Sequence, residues 1–223
     1  MQLEIEHGPV FSILRVRLAQ GEQFRAEAGA MVAMSPTIDL EAKTSGKGLL
    51  GSLKAVAGGE SFFASLFTAT RGEGELVLAP PMPGDIMRID LNGTIYAEGG
   101  AYLAGHPGLE ISTQGSAKGL LSGEGLFLQV IRGQGPVFLS CYGAIVMKAL
   151  APGESFIVDT GHLVAFEEGV RYSVRKAAKG LLSSIATGEG LVCEYTGPGR
   201  ILYQTRNLGA FAQSLAKLMP ARG

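Results

Sequence analysis

Apolar and polar residues alternate along this chain in short runs. The segment Phe11-Ser12-Ile13-Leu14-Arg15-Val16-Arg17-Leu18 is the clearest, and Ile86 to Leu91 and Phe156 to Val158 are further ones. Such runs are too short for helices and have the two-residue period of half-buried strands. Turn residues separate them: Gly105-His106-Pro107-Gly108, Ala151-Pro152-Gly153 and Thr196-Gly197-Pro198-Gly199. Pro80-Pro81-Met82-Pro83 cannot continue a strand and marks a break. Many short, evenly spaced strands predict a sandwich or barrel class of all-β fold. Two segments depart from the pattern. Lys47 to Ala57 places Leu49, Leu50, Leu53 and Val56 at helical spacing and ends at Gly58-Gly59. Asn207 to Met219 puts Leu208, Phe211, Ala212, Leu215 and Leu218 on one stripe, with Asn207 as N-cap and Pro220 as a stop.

The pattern also repeats. Lys47-Gly48-Leu49-Leu50, Lys118-Gly119-Leu120-Leu121 and Lys179-Gly180-Leu181-Leu182 are separated by steps of 71 and 61 residues. Gly29-Ala30-Met31-Val32-Ala33, Gly100-Ala101-Tyr102-Leu103-Ala104 and Gly161-His162-Leu163-Val164-Ala165 repeat with the same steps of 71 and 61. Glu60, Glu124 and Glu189 follow Gly59, Gly123 and Gly188. Glycine pairs at 72/74, 133/135 and 197/199 are expected as hairpin turns before an apolar strand, and Gly21-Glu22, Gly84-Asp85 and Gly153-Glu154 as openings of another strand. Motifs in one shared register point to internal repeats, here at about 1–80, 81–149 and 150–223, within a single compact body 1–223.

Composition narrows the picture. Of 223 residues 33 are glycine, 46% are hydrophobic and the mean hydropathy is +0.24. This much apolar material excludes a disordered polar tract, and the lack of a three-residue glycine period excludes collagen. Lys+Arg 19 against Asp+Glu 20 leaves a net charge of −1, poor material for binding a phosphate backbone. DNA is therefore not expected as a partner, and RNA is disfavoured. Two cysteines, Cys141 and Cys193, make no disulfide framework and read as buried thiols. The start MQLEIEHGPV carries two glutamates and no basic region, so no signal peptide is expected. The uncharged stretch from Gly133 to Met147 is too short and polar to span a bilayer.

Three stretches carry a resemblance: GKGLLGSLKAVAGGESFFASLFTATRGEGELVLAPPMPGDI, APGESFIVDTGHLVAFEEGVRYSV and GPGRILYQTRNL. They resemble the AIM24 family, formerly a domain of unknown function, over nearly the whole chain. GGESFF, the PGDI turn and VDTGHLVAF are the specific parts. The resemblance implies a fold similar to the tryptophan RNA-binding attenuation protein (TRAP), a short double-stranded β-helix. Three such units would pack in pseudo-threefold fashion within one chain, with one or two short helices. Yeast members are linked to mitochondrial inner-membrane organisation, while bacterial members mostly lack an assigned activity. The targeting extension of mitochondrial members has no counterpart here. The expected location is the cytoplasm, with peripheral membrane contact.

Candidate chemistry is sparse. His7, His106 and His162 form no His-x-His pair, and a metal site on such a β-helix needs clustered ligands, so they read as structural or surface residues. Neither cysteine has a histidine near it in sequence. Gly72-Glu73-Gly74 lacks the Lys-Ser/Thr and helix of a phosphate cradle. The acids Glu60, Glu124 and Glu189 could face one another across a threefold axis and hold a cation. The plainer reading, and the favoured one, is a turn residue accepting backbone N–H bonds. The lysines Lys47, Lys118 and Lys179 stand beside Leu49 and Leu50, Leu120 and Leu121, and Leu181 and Leu182. They could dock on an anionic membrane or a partner protein, or the leucines could simply plug the core.

The sequence thus predicts a non-enzymatic scaffold or binding protein, acting at a membrane or in a protein assembly, with no cofactor and no metal. A small-molecule binding module using clefts between units is the alternative, and RNA binding by fold analogy ranks below both. Monomer and homo-oligomer both remain open.

Overall fold

In β2 (Ile13–Leu18), Leu14, Val16 and Leu18 are buried while Arg15 and Arg17 point outward. Arg15 donates to Glu6 at 2.6 Å and to Glu75 at 2.5 Å, so the polar face is tied across its neighbours β1 (Gln2–Glu6) and β7 (Gly74–Leu78). The same alternation builds the rest of the protein. The computed structural model describes residues 1–44, 63–114, 126–176 and 191–219. They are mostly strand, arranged in several open sheets, with one α-helix among them.

One pairing scheme recurs along the chain. In the first stretch β7 lies between β2 and β4 (Met31–Met34), and β6 (Phe63–Ala69) lies between β3 (Gln23–Glu27) and β5 (Ile38–Thr44). In the last stretch β17 (Gly199–Gln204) lies between β12 (Ile145–Leu150) and β14 (Leu163–Glu167). There, too, β16 (Leu191–Thr196) lies between β13 (Ser155–Asp159) and β15 (Arg171–Lys176). The middle stretch keeps this order with fewer, longer strands. β8 (Ile86–Glu98) and β11 (Leu128–Ser140) pair over thirteen residues, with β9 (Tyr102–Gly105) against the last part of β11 and β10 (Glu110–Gln114) against its first part.

This corrects the hairpin reading of the glycine pairs and refines the reading of the strand openings. Gly133 and Gly135 do not end a strand. β11 runs through both at φ +128° and +134°, opposite Gly93 at +131°, so two paired strands bend together and stay paired. Only glycine adopts such φ values without strain, which is why one long ladder here replaces the two ladders, β2 with β7 and β3 with β6, of the first stretch. At 72/74 and 197/199 the flanking strands lie in different sheets, so those pairs are not hairpin turns either. Gly84-Asp85 does open a strand, as Gly21-Glu22 and Gly153-Glu154 do, but it turns in a different way. Those two pairs make the same turn: Glu22 accepts the Ala19 N–H at 2.9 Å and Glu154 the Ala151 N–H at 3.0 Å. Gly84 instead forms parallel bridges to Phe11 and Gly143, and a Cβ there would collide with the Cys141 carbonyl.

The stretches meet strand to strand. β3 pairs with β9, and β8 pairs with β14, both antiparallel. Three apolar clusters lie among the described residues. Leu14, Phe24, Phe67 and Phe138 lie in one, Ile95, Tyr102 and Leu139 in the second, and Phe166, Cys193, Tyr195 and Ile201 in the third. Phe138 and Tyr102 belong to the middle stretch yet sit in different clusters, so that stretch joins the cores as well as the sheets.

Helix α1 (Leu208–Ala216) follows β17. Asn207 is its N-cap as expected, its side chain accepting the Ala210 N–H at 3.0 Å. The expected apolar stripe is present, but none of its residues is buried. The helix expected over Lys47 to Ala57 lies outside the described residues.

Candidate functional site

The end of β13 begins an enclosed polar corner. Asp159 accepts the Gly161 N–H at 2.8 Å and starts a 3-10 turn, Thr160–His162. The Gln204 amide, at the end of β17, then ties three elements together. Its Nε2 donates to the Gly161 carbonyl at 3.1 Å, and its Oε1 accepts the Tyr142 N–H at 2.9 Å. The His162 Nδ1 stands 2.7 Å from the Gln204 carbonyl oxygen, which fixes the ring as part of the frame. His106 is also structural, its Nδ1 accepting the Gly108 N–H at 3.1 Å.

These contacts hold open a cleft of about 480 Å³. One wall is Gly99, Gly100 and Ala101 with Ser140, Cys141 and Tyr142; the opposite wall is the 3-10 turn with Leu163 and Val164. The foot of α1 and the segment Pro80 to Met82 close its ends. Glu98 lines this cleft and also a neighbouring cavity of about 170 Å³ beside Leu126 and Phe127. Burial raises the Glu98 carboxyl above its ordinary value, opposed by the Gly99 backbone N–H. Glu27 is raised to about 7, first by burial and then by the charge of Glu98. The cleft is lined mostly by small and apolar residues, with Glu98 among them, and suits a small, largely apolar molecule with one polar end. A larger groove of about 570 Å³ beside β1 is lined by Arg17, Glu73 and Glu75, and Arg17 already reaches Glu75 at 3.6 Å.

Both cysteines are buried and free. Burial pushes the Cys141 and Cys193 thiols up to about 11, which keeps them protonated at neutral pH. Among the described residues, no three of His, Cys, Asp and Glu gather in a metal-holding set, and no helix is long and apolar enough to cross a membrane.

The candidates singled out in the sequence all fall outside the described residues: Lys47, Leu49, Leu50, Lys118, Leu120, Leu121, Lys179, Leu181 and Leu182, and the acids Glu60, Glu124 and Glu189. Their segments connect β5 to β6, β10 to β11 and β15 to β16. What the sequence reading missed is Glu98 with Glu27. The signal was there, since the two stand 71 residues apart, the step of the repeated motifs.

A sequence profile of the family described as "Mitochondrial biogenesis AIM24" matches residues 3–206. An uncharacterized protein of Streptococcus pyogenes serotype M6 is 30% identical over 230 residues, covering 99% of this chain and 92% of that protein. An X-ray crystal structure of a Streptococcus pyogenes protein superposes with a TM-score of 0.81 at 28% identity, over 98% of this chain and 99% of that one.

Proposed function

This chain belongs to the AIM24 family, and from that premise we propose that it is a non-enzymatic scaffold, peripheral to a membrane in the cytoplasm, that docks on an anionic lipid surface. The observation that carries this reading is the apolar stripe of α1. Leu208, Phe211 and Leu215 are exposed, as is Leu218 just beyond the helix. Arg206 and Lys217 flank the stripe, and no acid lies between them. Apolar side chains with basic flanks match the boundary between lipid headgroups and acyl chains, where each basic residue contributes about 1 kcal/mol. The three Lys-Gly-Leu-Leu segments offer the same chemistry. Three TRAP-like units about a pseudo-threefold axis would set those segments on one rim, and the recurring strand-pairing order supports such an arrangement. The high pKa of both buried thiols supports a role other than catalysis.

The test is co-sedimentation with vesicles of phosphatidylcholine alone and with added phosphatidylserine. The protein is expected to pellet with the anionic vesicles, and F211S with L215S to stay in solution. Equal recovery in the supernatant with both vesicle types would overturn the reading.

The cleft favours a second reading, a small-molecule binding module. Native mass spectrometry of the purified protein would show a bound small molecule, and a spectrum of the bare chain alone would contradict this reading.

A further inference from the structure

We infer that strands β4 and β13 are two halves of one more junction, which a second copy of this chain completes. The inference rests on strand register, independently of the lipid reading. The two junctions inside the chain share one register. Between β3 and β9, Ala26 pairs with Ala104 and Arg25 with Gly105. Between β8 and β14, Ala97 pairs with Ala165 and Tyr96 with Phe166. Ala97 is Ala26 moved by 71 residues, and Ala165 is Ala104 moved by 61, the two steps of the repeated motifs. The same steps take Ala97 to Val158 on β13 and Ala104 back to Ala33 on β4. A third junction in this register sets Val158 against Ala33 and Ile157 against Met34.

Both strands have one edge open. Among the described residues β4 pairs with β7 alone and β13 with β16 alone. The burial contrast is sharp. β9 and the first four residues of β14 are fully buried, whereas all four residues of β4 are exposed, with Val32 at 60%. Ile157 on β13 is 48% exposed, where its counterpart Tyr96 stacks on Phe166 at 5.1 Å. The Ala30 carbonyl accepts the Ala79 N–H just past β7, and the Ser35 N–H donates to Glu75 within it. Strand alternation then turns the Met34 backbone groups toward the open edge.

Exposed edges are normally blunted by charge or proline. β4 reads MVAM and carries neither, and β13 has only its last residue charged. Within one copy the two edges end different sheets. Phe11, whose bridge to Gly84 joins the first stretch to the second, is 70% exposed. A second copy supplies the matching edge with neither copy changing shape. Two copies around a two-fold axis satisfy both edges at once, and a head-to-tail arrangement leaves a growing chain.

The test needs no lipid, so its failure leaves the membrane reading untouched. Sedimentation of the full chain over a dilution series is expected to show a concentration-dependent dimer or larger species. Val32→Lys should weaken that association roughly tenfold or more. Ala33→Cys mixed with Val158→Cys should give a disulfide-linked pair on oxidation, and neither variant alone should. Circular dichroism confirms that each variant folds, and Met34→Cys with Ile157→Cys replaces the pair if Val158→Cys does not. A monomer at every concentration would overturn the inference. So would a chain carrying both cysteines that closes only an internal disulfide, because β4 would then meet β13 of the same copy.

Discussion

The Phe211 ring rests against the Tyr142 ring, centroids 5.7 Å apart and planes tilted by 51°. This contact ties a helix with no buried residue to a body that owes it little else. Phe211→Ala removes an aromatic pair worth about 0.5–1.5 kcal/mol. Limited proteolysis should then cut after Arg206 sooner than in the parent, while the melting temperature of the body stays within a few degrees. Unchanged cleavage would show that other contacts hold the helix.

Glu27 gives a pH signature. Its carboxyl is raised to about 7 in the folded protein, burial being the first cause and the charge of Glu98 the second, against an ordinary value of 4.5. Below pH 4.5 both states keep the proton and no stability is lost. Between pH 4.5 and 7 the unfolded chain gives up its proton first, so stability falls as pH rises, and above 7 the deficit is constant. Glu27→Gln removes the deficit. It should stabilise the protein by on the order of 2 kcal/mol at pH 8, after allowance for solvent screening, and by little at pH 4. Denaturant midpoints at both pH values check this, and a gain independent of pH would contradict it.

Gly84 and Gly153 should respond differently to alanine. At Gly84 a Cβ would lie 1.8 Å from the Cys141 carbonyl oxygen, a backbone atom that cannot move aside. Gly84→Ala should cost about 3 kcal/mol or more, or prevent folding. Gly153 has φ +79° and nothing within 4 Å of a new Cβ, so its alanine variant meets only backbone strain of about 1–2 kcal/mol. Thermal unfolding of the two proteins side by side would decide, and equal losses would count against the close approach at Gly84.

The thiols should be silent. With Cys141 and Cys193 pushed up to about 11 and buried, a thiol reagent at pH 7 should label native protein far more slowly than protein unfolded in guanidinium. Rapid labelling of native Cys141 would mean that the cleft opens.

Much of the β architecture was legible because burial follows alternation. Leu14, Val16 and Leu18 alternate and are buried, and the step from Ala26 to Ala97 appears unchanged in the strand register. Glycine was read less well. Gly-Glu at 21–22 and 153–154 makes a turn because the glutamate accepts an N–H three residues back, whereas Gly84-Asp85 looks alike but sits at a crossing of chains. A dipeptide cannot distinguish a local hydrogen bond from a distant carbonyl. The cleft was invisible for a related reason. Gln204, Gly161 and Tyr142 come together only when β17 lies beside β14 and β12, and none belongs to a motif of catalysis.

The long ladder of β8 and β11 makes the middle of the chain a keystone. Its partners lie on both sides, with β14 along β8 and β9 leading on to β3. An outer stretch could be lost or exchanged by cutting one junction, but loss of the middle would separate everything else. Changes in length during the history of such a chain would therefore collect at its ends and in its connections, leaving the central ladder constant in span. A laboratory attempt to shorten the protein should start from the ends as well.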